Sequence, residues 1–209
     1  MLTWWSAGRL HVGWPVAWLL LVMIVWPVAA CGGVGKTAEA VHPRLDTWAK
    51  PVPDRTGLPN LYKVTEGLYR GAQPEDEGFD ELKSMGIKTV VNLRTFGSDR
   101  SECKKSGLDY VKISMQAWNP SDSDVAKFLR VAIDPQRQPI FVHCLHGADR
   151  TGMVVAIHRV LIEGWSKEDA LKEMTGGGFG FHTEFDNLLE YVEDLDLEKM
   201  RQKAGLTSP

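Results

Sequence analysis

The sequence predicts an α/β fold, a central, mainly parallel β-sheet flanked by helices, and three observations carry that prediction. Two β-branched apolar runs, Ile87 to Leu93 and Pro139 to His143, read as strands buried on both faces. Stretches with apolar residues at helical spacing alternate with these runs, which implies right-handed crossovers between parallel strands. The second run leads straight into Cys144-Leu145-His146-Gly147-Ala148-Asp149-Arg150-Thr151, where a strand gives way to a helix. Open α/β sheets bind their ligands at such strand ends.

Taken from the N-terminus, residues 1–31 stand apart. They hold one charged side chain, Arg9, and five tryptophans, Trp4, Trp5, Trp14, Trp18 and Trp26, and an uncharged stretch of 19 residues runs from Val12 to Ala30. At ~1.5 Å per helical residue this stretch only just crosses a ~30 Å hydrocarbon core, so length does not separate an export signal from an anchor. Its end, Val28-Ala29-Ala30-Cys31-Gly32, resembles the lipobox of bacterial lipoproteins, whose cysteine is lipidated and becomes the new N-terminus. The expectation is an exported, membrane-anchored lipoprotein facing the periplasm and attached through Cys31. A plain signal peptide with an Ala-x-Ala-like site and an uncleaved helix are the alternatives, and all three carry the domain out of the cytoplasm.

Residues 32–60 are dense in turn formers, including Gly32, Gly33, Gly35, Pro43, Pro51, Pro53, Gly57 and Pro59, and read as a flexible tether. Gly35-Lys36-Thr37 fails as a Walker loop because Ala30 stands where the first glycine belongs. The folded domain is expected over 61–205. It opens with Tyr62 to Val64 and Leu68-Tyr69 around a turn at Glu66-Gly67, a hairpin or pair of edge strands. Glu75 to Met85 sets Phe79, Leu82 and Met85 on one helical face and stops at Gly86, ahead of the first buried strand. Arg100 to Ser106 is a short polar helix closed by Gly107, and Tyr110 to Ile113 alternates like a half-buried strand. Ser121 or Ser123 can cap a helix reaching about Ile133, with Val125, Phe128, Leu129 and Ala132 along one face. Past the second buried strand, Arg150 to Glu163, Ser166 to Met174 and Thr183 to about Lys203 read as helices.

With 209 residues, 44% of them hydrophobic, the chain can build one ordinary core. Its formal charge is −3 and no basic run stands out in the domain, so nothing marks it for nucleic acid. Cys31, Cys103 and Cys144 are too few and too scattered for a disulfide framework, and neither Cys-x-x-Cys nor a His cluster suggests a metal site.

The loop from Cys144 to Arg150 carries the chemistry. Successive backbone N–H groups from Leu145, His146, Gly147, Ala148, Asp149 and Arg150, with the positive end of the following helix, suit a dianionic phosphate. The same field favours a thiolate, since a cysteine that titrates near ~8.5 when free falls to roughly 3.5–7.5 at a helix N-terminus or beside cations. Cys144 is thus the candidate nucleophile, and Arg150 offers a planar fork for two phosphate oxygens. Thr151 can donate its hydroxyl to the sulfur, His143 abuts Cys144 and can tune it, and Gly147 permits a close backbone turn.

These residues, as His-Cys-x5-Arg-Thr, resemble the signature of the protein tyrosine and dual-specificity phosphatase superfamily. Leu68-Tyr69-Arg70-Gly71-Ala72-Gln73-Pro74 and Gly86 to Arg94 are similar to the N-terminal half of its compact dual-specificity members, so the likeness spans residues 60 to 200. It implies a cysteine-phosphatase fold of dual-specificity type, a phosphocysteine intermediate, phosphorylated protein or lipid substrates, and neither a metal nor another cofactor. Ala148 stands where many inositide-directed relatives carry a basic residue.

Relatives also keep an acidic residue ahead of the helix preceding the catalytic strand. Here Asp122 is the first candidate and Asp124 the second, each with helix capping as its competing use; Ala117 occupies a position where some relatives hold the acid, and Asp149 is a third candidate. His146 and His182 read as surface or loop residues, and Cys103 as a small apolar residue or a redox partner of Cys144. A rhodanese-like sulfur transferase and a phosphate-binding pseudophosphatase are the rival functions; Arg150-Thr151-Gly152 fits the first poorly, and retention of both Cys144 and Arg150 opposes the second.

Overall fold

The computed structural model describes residues 45–206, so the export segment with Cys31 and the first part of the expected tether lie outside the described residues. Strands β1 (Lys50–Pro51), β2 (Tyr62–Lys63), β3 (Leu68–Gly71), β4 (Thr89–Asn92), β5 (Asp109–Lys112) and β6 (Ile140–His143) form one sheet in the order β1-β2-β3-β6-β4-β5. The first two pairings are antiparallel, and β3·β6, β6·β4 and β4·β5 are parallel. The expected mainly parallel sheet is therefore present, with an antiparallel edge.

Helices α1 (Gly78–Ser84) and α2 (Arg100–Lys105) follow β3 and β4, while α3 (Asp122–Ala132), α4 (Asp149–Ile162), α5 (Lys167–Gly176), α6 (Asn187–Glu193) and α7 (Leu197–Ala204) supply the rest. β4 and β6 are buried at every position because both faces are covered. Alternation splits their side chains: Val90 and Phe141 join Phe79, Leu82 and Cys103, whereas Val91, Ile140 and Val142 join Phe128, Leu129, Met153 and Ile157. Each such large side chain contributes about 1.5–3 kcal/mol by leaving water. Ser121 is the α3 cap, its hydroxyl accepting from Asp124 N at 3.2 Å.

Two expectations need correction. Residues 45–60 are not a free tether: Trp48 and Leu58 are 5% exposed, Ala49 is fully buried, and β1 pairs with β2. A buried ion network holds this segment. Arg159 donates to Glu173 at 2.8 and 2.9 Å and to Glu163 at 2.6 Å, and Ala49 N donates to Glu173 Oε1 at 2.6 Å. The expected last helix is also broken, into a 3-10 turn (Thr183–Phe185), α6 and α7. Leu195 turns inward between the two helices, and the Asp196 side chain caps α7 by accepting from Lys199 N at 3.0 Å. No helix among the described residues is long and apolar enough to cross a membrane.

Candidate active site

Cys144 follows the last residue of β6 and is 1% exposed; the loop after it runs directly into α4. Gly147 takes φ +72°, and its Cα is packed so closely on the backbone of Gly71 and Ala72 that a Cβ there would lie 2.6 Å from Ala72 N and closer still to the Gly71 carbonyl. The loop is thereby wedged onto the end of β3. Gln73 N donates to Leu145 O at 3.0 Å, and Arg70 Nη2 donates to Gly147 O at 2.7 Å. With those carbonyls drawn outward, the N–H groups of the loop are left for an anion.

Arg70 is the part that motif reading did not interpret. It is 1% exposed, its guanidinium lies 3.7 Å from the Phe179 ring centroid, and burial lowers its pKa to about 10 against the opposing charges of Glu173 and Cys144. Phe179 comes from the Gly176-Gly177-Gly178-Phe179 segment, so that glycine-rich stretch floors the loop.

Arg150 Nη1 reaches Met115 O at 3.4 Å, and its Nε is buried with no hydrogen-bond partner among the described residues. Thr151 Oγ1 is likewise buried and without a partner. Both are donors of the kind a phosphate oxygen or the Cys144 sulfur would take. His143 is wholly buried, with Nδ1 2.9 Å from Cys144 O and Nε2 3.1 Å from Asp99 Oδ2, off the line of a hydrogen bond. Asp99 also accepts from Asn92 at 2.6 Å, Arg94 at 2.8 Å and Gln73 at 3.1 Å. Burial drives its carboxyl up, but His143 first, then Gln73 and Arg94, outweigh burial and hold it below the usual range. Asp99 lies against the His143 ring behind Cys144; no sequence signal separated it from an ordinary helix-capping aspartate.

The structure gives Asp122 another use. Its Oδ1 accepts from Tyr191 Oη at 2.8 Å, and its Oδ2 lies 3.4 Å from Lys199 Nζ and 3.9 Å from Lys203 Nζ. The Tyr191 hydrogen bond and then the lysines keep the carboxyl below its ordinary pKa, so it is ionised at neutral pH and holds α3 to α6 and α7. Asp124 is taken by the cap, accepting from Ser121 Oγ at 3.0 Å. The segment against Arg150, Met115-Gln116-Ala117-Trp118-Asn119, contains no acid. Ala117 is buried with its carbonyl on Asn187 Nδ2, while Trp118 is 66% exposed. A second aromatic, Phe96, is 83% exposed and follows Thr95, whose hydroxyl shares the Met115 carbonyl with Arg150.

Cys103 is no redox partner. It sits in the cluster with Phe79 and Leu82, separate from the one holding Cys144, and burial, Asp99 and Glu102 push its thiol up to about 12. Asp149 is 5% exposed and faces His182, whose N and Nδ1 each lie 3.0 Å from Asp149 Oδ1.

Residues 53–185 match the family model described as a DSP-PTPase phosphatase fused to NAD+ kinase. The dual specificity protein phosphatase TpbA of Pseudomonas aeruginosa is 33% identical over 189 residues, covering 90% of this chain and 85% of TpbA. The crystal structure of a cysteine-to-serine form of P. aeruginosa TpbA in complex with pTyr superposes with a TM-score of 0.69 at 30% identity, over 79% of this chain and all of that one. An inositol diphosphatase of Arabidopsis thaliana is 27% identical over 154 residues, covering 69% of this chain and 73% of its own.

Proposed function

The chain belongs to the DSP-PTPase family of cysteine-dependent phosphatases, and from that premise we propose that it dephosphorylates phosphotyrosine in proteins, with Cys144 as nucleophile. It hydrolyses phosphate monoesters through a phosphocysteine intermediate. In the proposed reaction the Cys144 thiolate attacks phosphorus, the P–O bond to the leaving oxygen breaks, and water then cleaves the P–S bond to release phosphate. Arg150 and the loop N–H groups hold the three phosphate oxygens, and the Thr151 hydroxyl stabilises the sulfur as it leaves.

The observation that carries the tyrosine reading is the acid-free segment at Arg150. Asp122 and Asp124 are engaged elsewhere, so the leaving oxygen departs without a carboxylic acid from this segment. A phenol, with a pKa near ~10, tolerates that far better than an alkyl alcohol. Exposed Phe96, next to the Thr95 that shares the Met115 carbonyl with Arg150, and exposed Trp118, three residues after Met115, suit an aryl ring. A phosphoanhydride has a still better leaving group, which makes a diphosphatase the second reading; the inositol diphosphatase relative supports it, and Ala148 in place of a basic residue opposes it.

The test is a turnover panel of phosphotyrosine and phosphoserine peptides, phosphatidylglycerophosphate and phosphoinositides. Wild-type protein is expected to prefer phosphotyrosine, Cys144→Ser to lose all turnover, Arg150→Lys nearly all, and EDTA to change nothing. Substantial turnover by Cys144→Ser would falsify the mechanism, and a preference for the lipid or phosphoinositide substrates would replace the protein-tyrosine reading.

A further inference from the structure

His146, Asp149 and His182 converge on one wall of the phosphate loop. One ligand atom from each lies within 4.8 Å of the other two. The imidazole centroids of His146 and His182 are 5.0 Å apart, and His182 Nδ1 is 3.0 Å from both oxygens of Asp149. The proposed phosphatase reaction leaves these side chains unused: Asp149, the third candidate for the acid, is engaged by the backbone N–H and ring of His182, the loop binds phosphate through its backbone, and Arg150 supplies the side-chain contact. From this geometry we propose a binding site for a divalent transition-metal ion of the zinc class, held by His146, Asp149 and His182.

Chemistry favours that class of ion over magnesium or calcium. Two imidazoles and one carboxylate are the donor set that zinc takes, whereas the alkaline-earth ions take oxygen ligands. A tetrahedral ion with ligand bonds of about 2.0–2.2 Å sets its ligands roughly 3.4 Å apart. The Asp149–His182 pair already stands near that spacing, with a proton between the two atoms where the ion would go. Only the His146 ring has to swing inward, and it is exposed.

The backbones that carry the ligands are already fastened together. Asn60, itself at φ +57°, donates its side-chain amide at 2.9 Å to the carbonyl of His146 and at 2.9 Å to the carbonyl of Phe179, three residues before His182. Asp149 is buried at the start of α4 and receives the His182 backbone N–H as well as its ring. A site whose ligands are positioned before the ion arrives loses less entropy on binding it. An ion here ties two residues of the phosphate loop to the segment that carries Phe179 beneath Arg70, and so adds to the stability of the fold without entering the reaction.

The test uses the full chain with Cys144→Ser, without a histidine tag, so that neither turnover nor the active-site thiolate contributes. Zn²⁺ at micromolar concentration is expected to raise its melting temperature by several degrees while millimolar Mg²⁺ does not, and Co²⁺ is expected to give a tetrahedral d–d absorption band without thiolate charge transfer. Adding His182→Gln should abolish both the shift and the band; His146→Ala should do the same and tells loss of a ligand from local disturbance. No shift with Zn²⁺, or one that survives both substitutions, overturns the proposal. So does a Co²⁺ band that appears only when Cys144 is intact, which would put the ion on the thiol. Loss of turnover in Cys144→Ser bears on the phosphatase reading alone and leaves this one standing.

Discussion

Gly147→Ala tests whether the phosphate loop depends on its wedge against β3. The substitution acts twice. At φ +72° an L-residue costs about 1–2 kcal/mol relative to glycine. In addition, the new Cβ would sit 2.6 Å from Ala72 N, against 3.4 Å for ordinary contact, and what it meets is backbone that cannot rotate away. The loop therefore has to withdraw from Gly71 and Ala72 by about 1 Å, a misplacement that costs on the order of 10²-fold in rate where reacting groups must be aligned. Gly86 is the matched control: it has φ +82° and nothing within 4 Å of its Cβ position, so Gly86→Ala carries the conformational cost alone. Urea unfolding and single-turnover release of an activated aryl phosphate would be measured on both. The expectation is a comparable left-handed penalty in each, a further stability loss in Gly147→Ala, and a rate loss of about 10²-fold in that variant only. If Gly147→Ala keeps more than a third of the wild-type rate, or Gly86→Ala loses as much, the wedge is not what shapes the loop.

Asp122→Asn should change kcat on an alkyl phosphate by less than about threefold, since a general acid would cost 10²–10⁴; a loss in that larger range, absent on an aryl phosphate, would restore Asp122 as the acid. The Asp99 carboxyl titrates below its ordinary value in the fold, so the stability it contributes is whole above about pH 4, where the unfolded carboxyl is ionised, and drains as pH falls through the lower folded value. Acid unfolding of Asp99→Asn, followed by circular dichroism, should lack that part of the pH dependence; an unchanged profile would show that Asp99 is not held ionised by His143 and its neighbours. The Ala30-Cys31 junction leads us to propose that native protein is membrane-bound through a lipidated Cys31, so Cys31→Ala should block maturation; mass spectrometry that finds an intact Met1, or a free N-terminus elsewhere, would rule this out.

The parts of the molecule that were legible in sequence are those whose parts are neighbours in the chain. Cys144, Gly147 and Arg150 fall within seven residues at a strand–helix junction, so one motif carries the proposed nucleophile, the turn and the proposed anion clamp together. β4 and β6 were legible because burial on both faces leaves an unbroken apolar run. What failed depends on partners far along the chain. A carboxylate at a helix start can cap, pair or donate a proton, and what engages Asp122 is Tyr191 and Lys199, three and four helices further along the chain. His146 and His182 read as unrelated because the fold, not the spacing, joins them through Asp149. The tether reading failed for residues 45–60 because proline and glycine report backbone habit, whereas Thr47 and Ala49 are held by Arg159 and Glu173, more than a hundred residues later.

Arg70 shows how a structural residue takes part in the electrostatics of the site without touching substrate. A guanidinium buried to 1% loses most of its hydration, which is why its pKa falls to about 10 and why the arrangement is costly on its own. Two things offset that cost: the Gly147 and Ala148 carbonyls with the face of Phe179, and negative charge nearby. Glu173 and Cys144 are among the groups whose negative charge favours the Arg70 cation, so the guanidinium stays beneath the loop in spite of its burial. A buried cation beneath the loop, the start of α4 beside it and Arg150 above it all act in one direction, and a phosphate dianion entering the loop meets the same field. Shaping the loop and presenting a field that suits an anion are therefore one physical task here, performed by a residue that sequence reading quoted only within a segment similar to compact dual-specificity phosphatases.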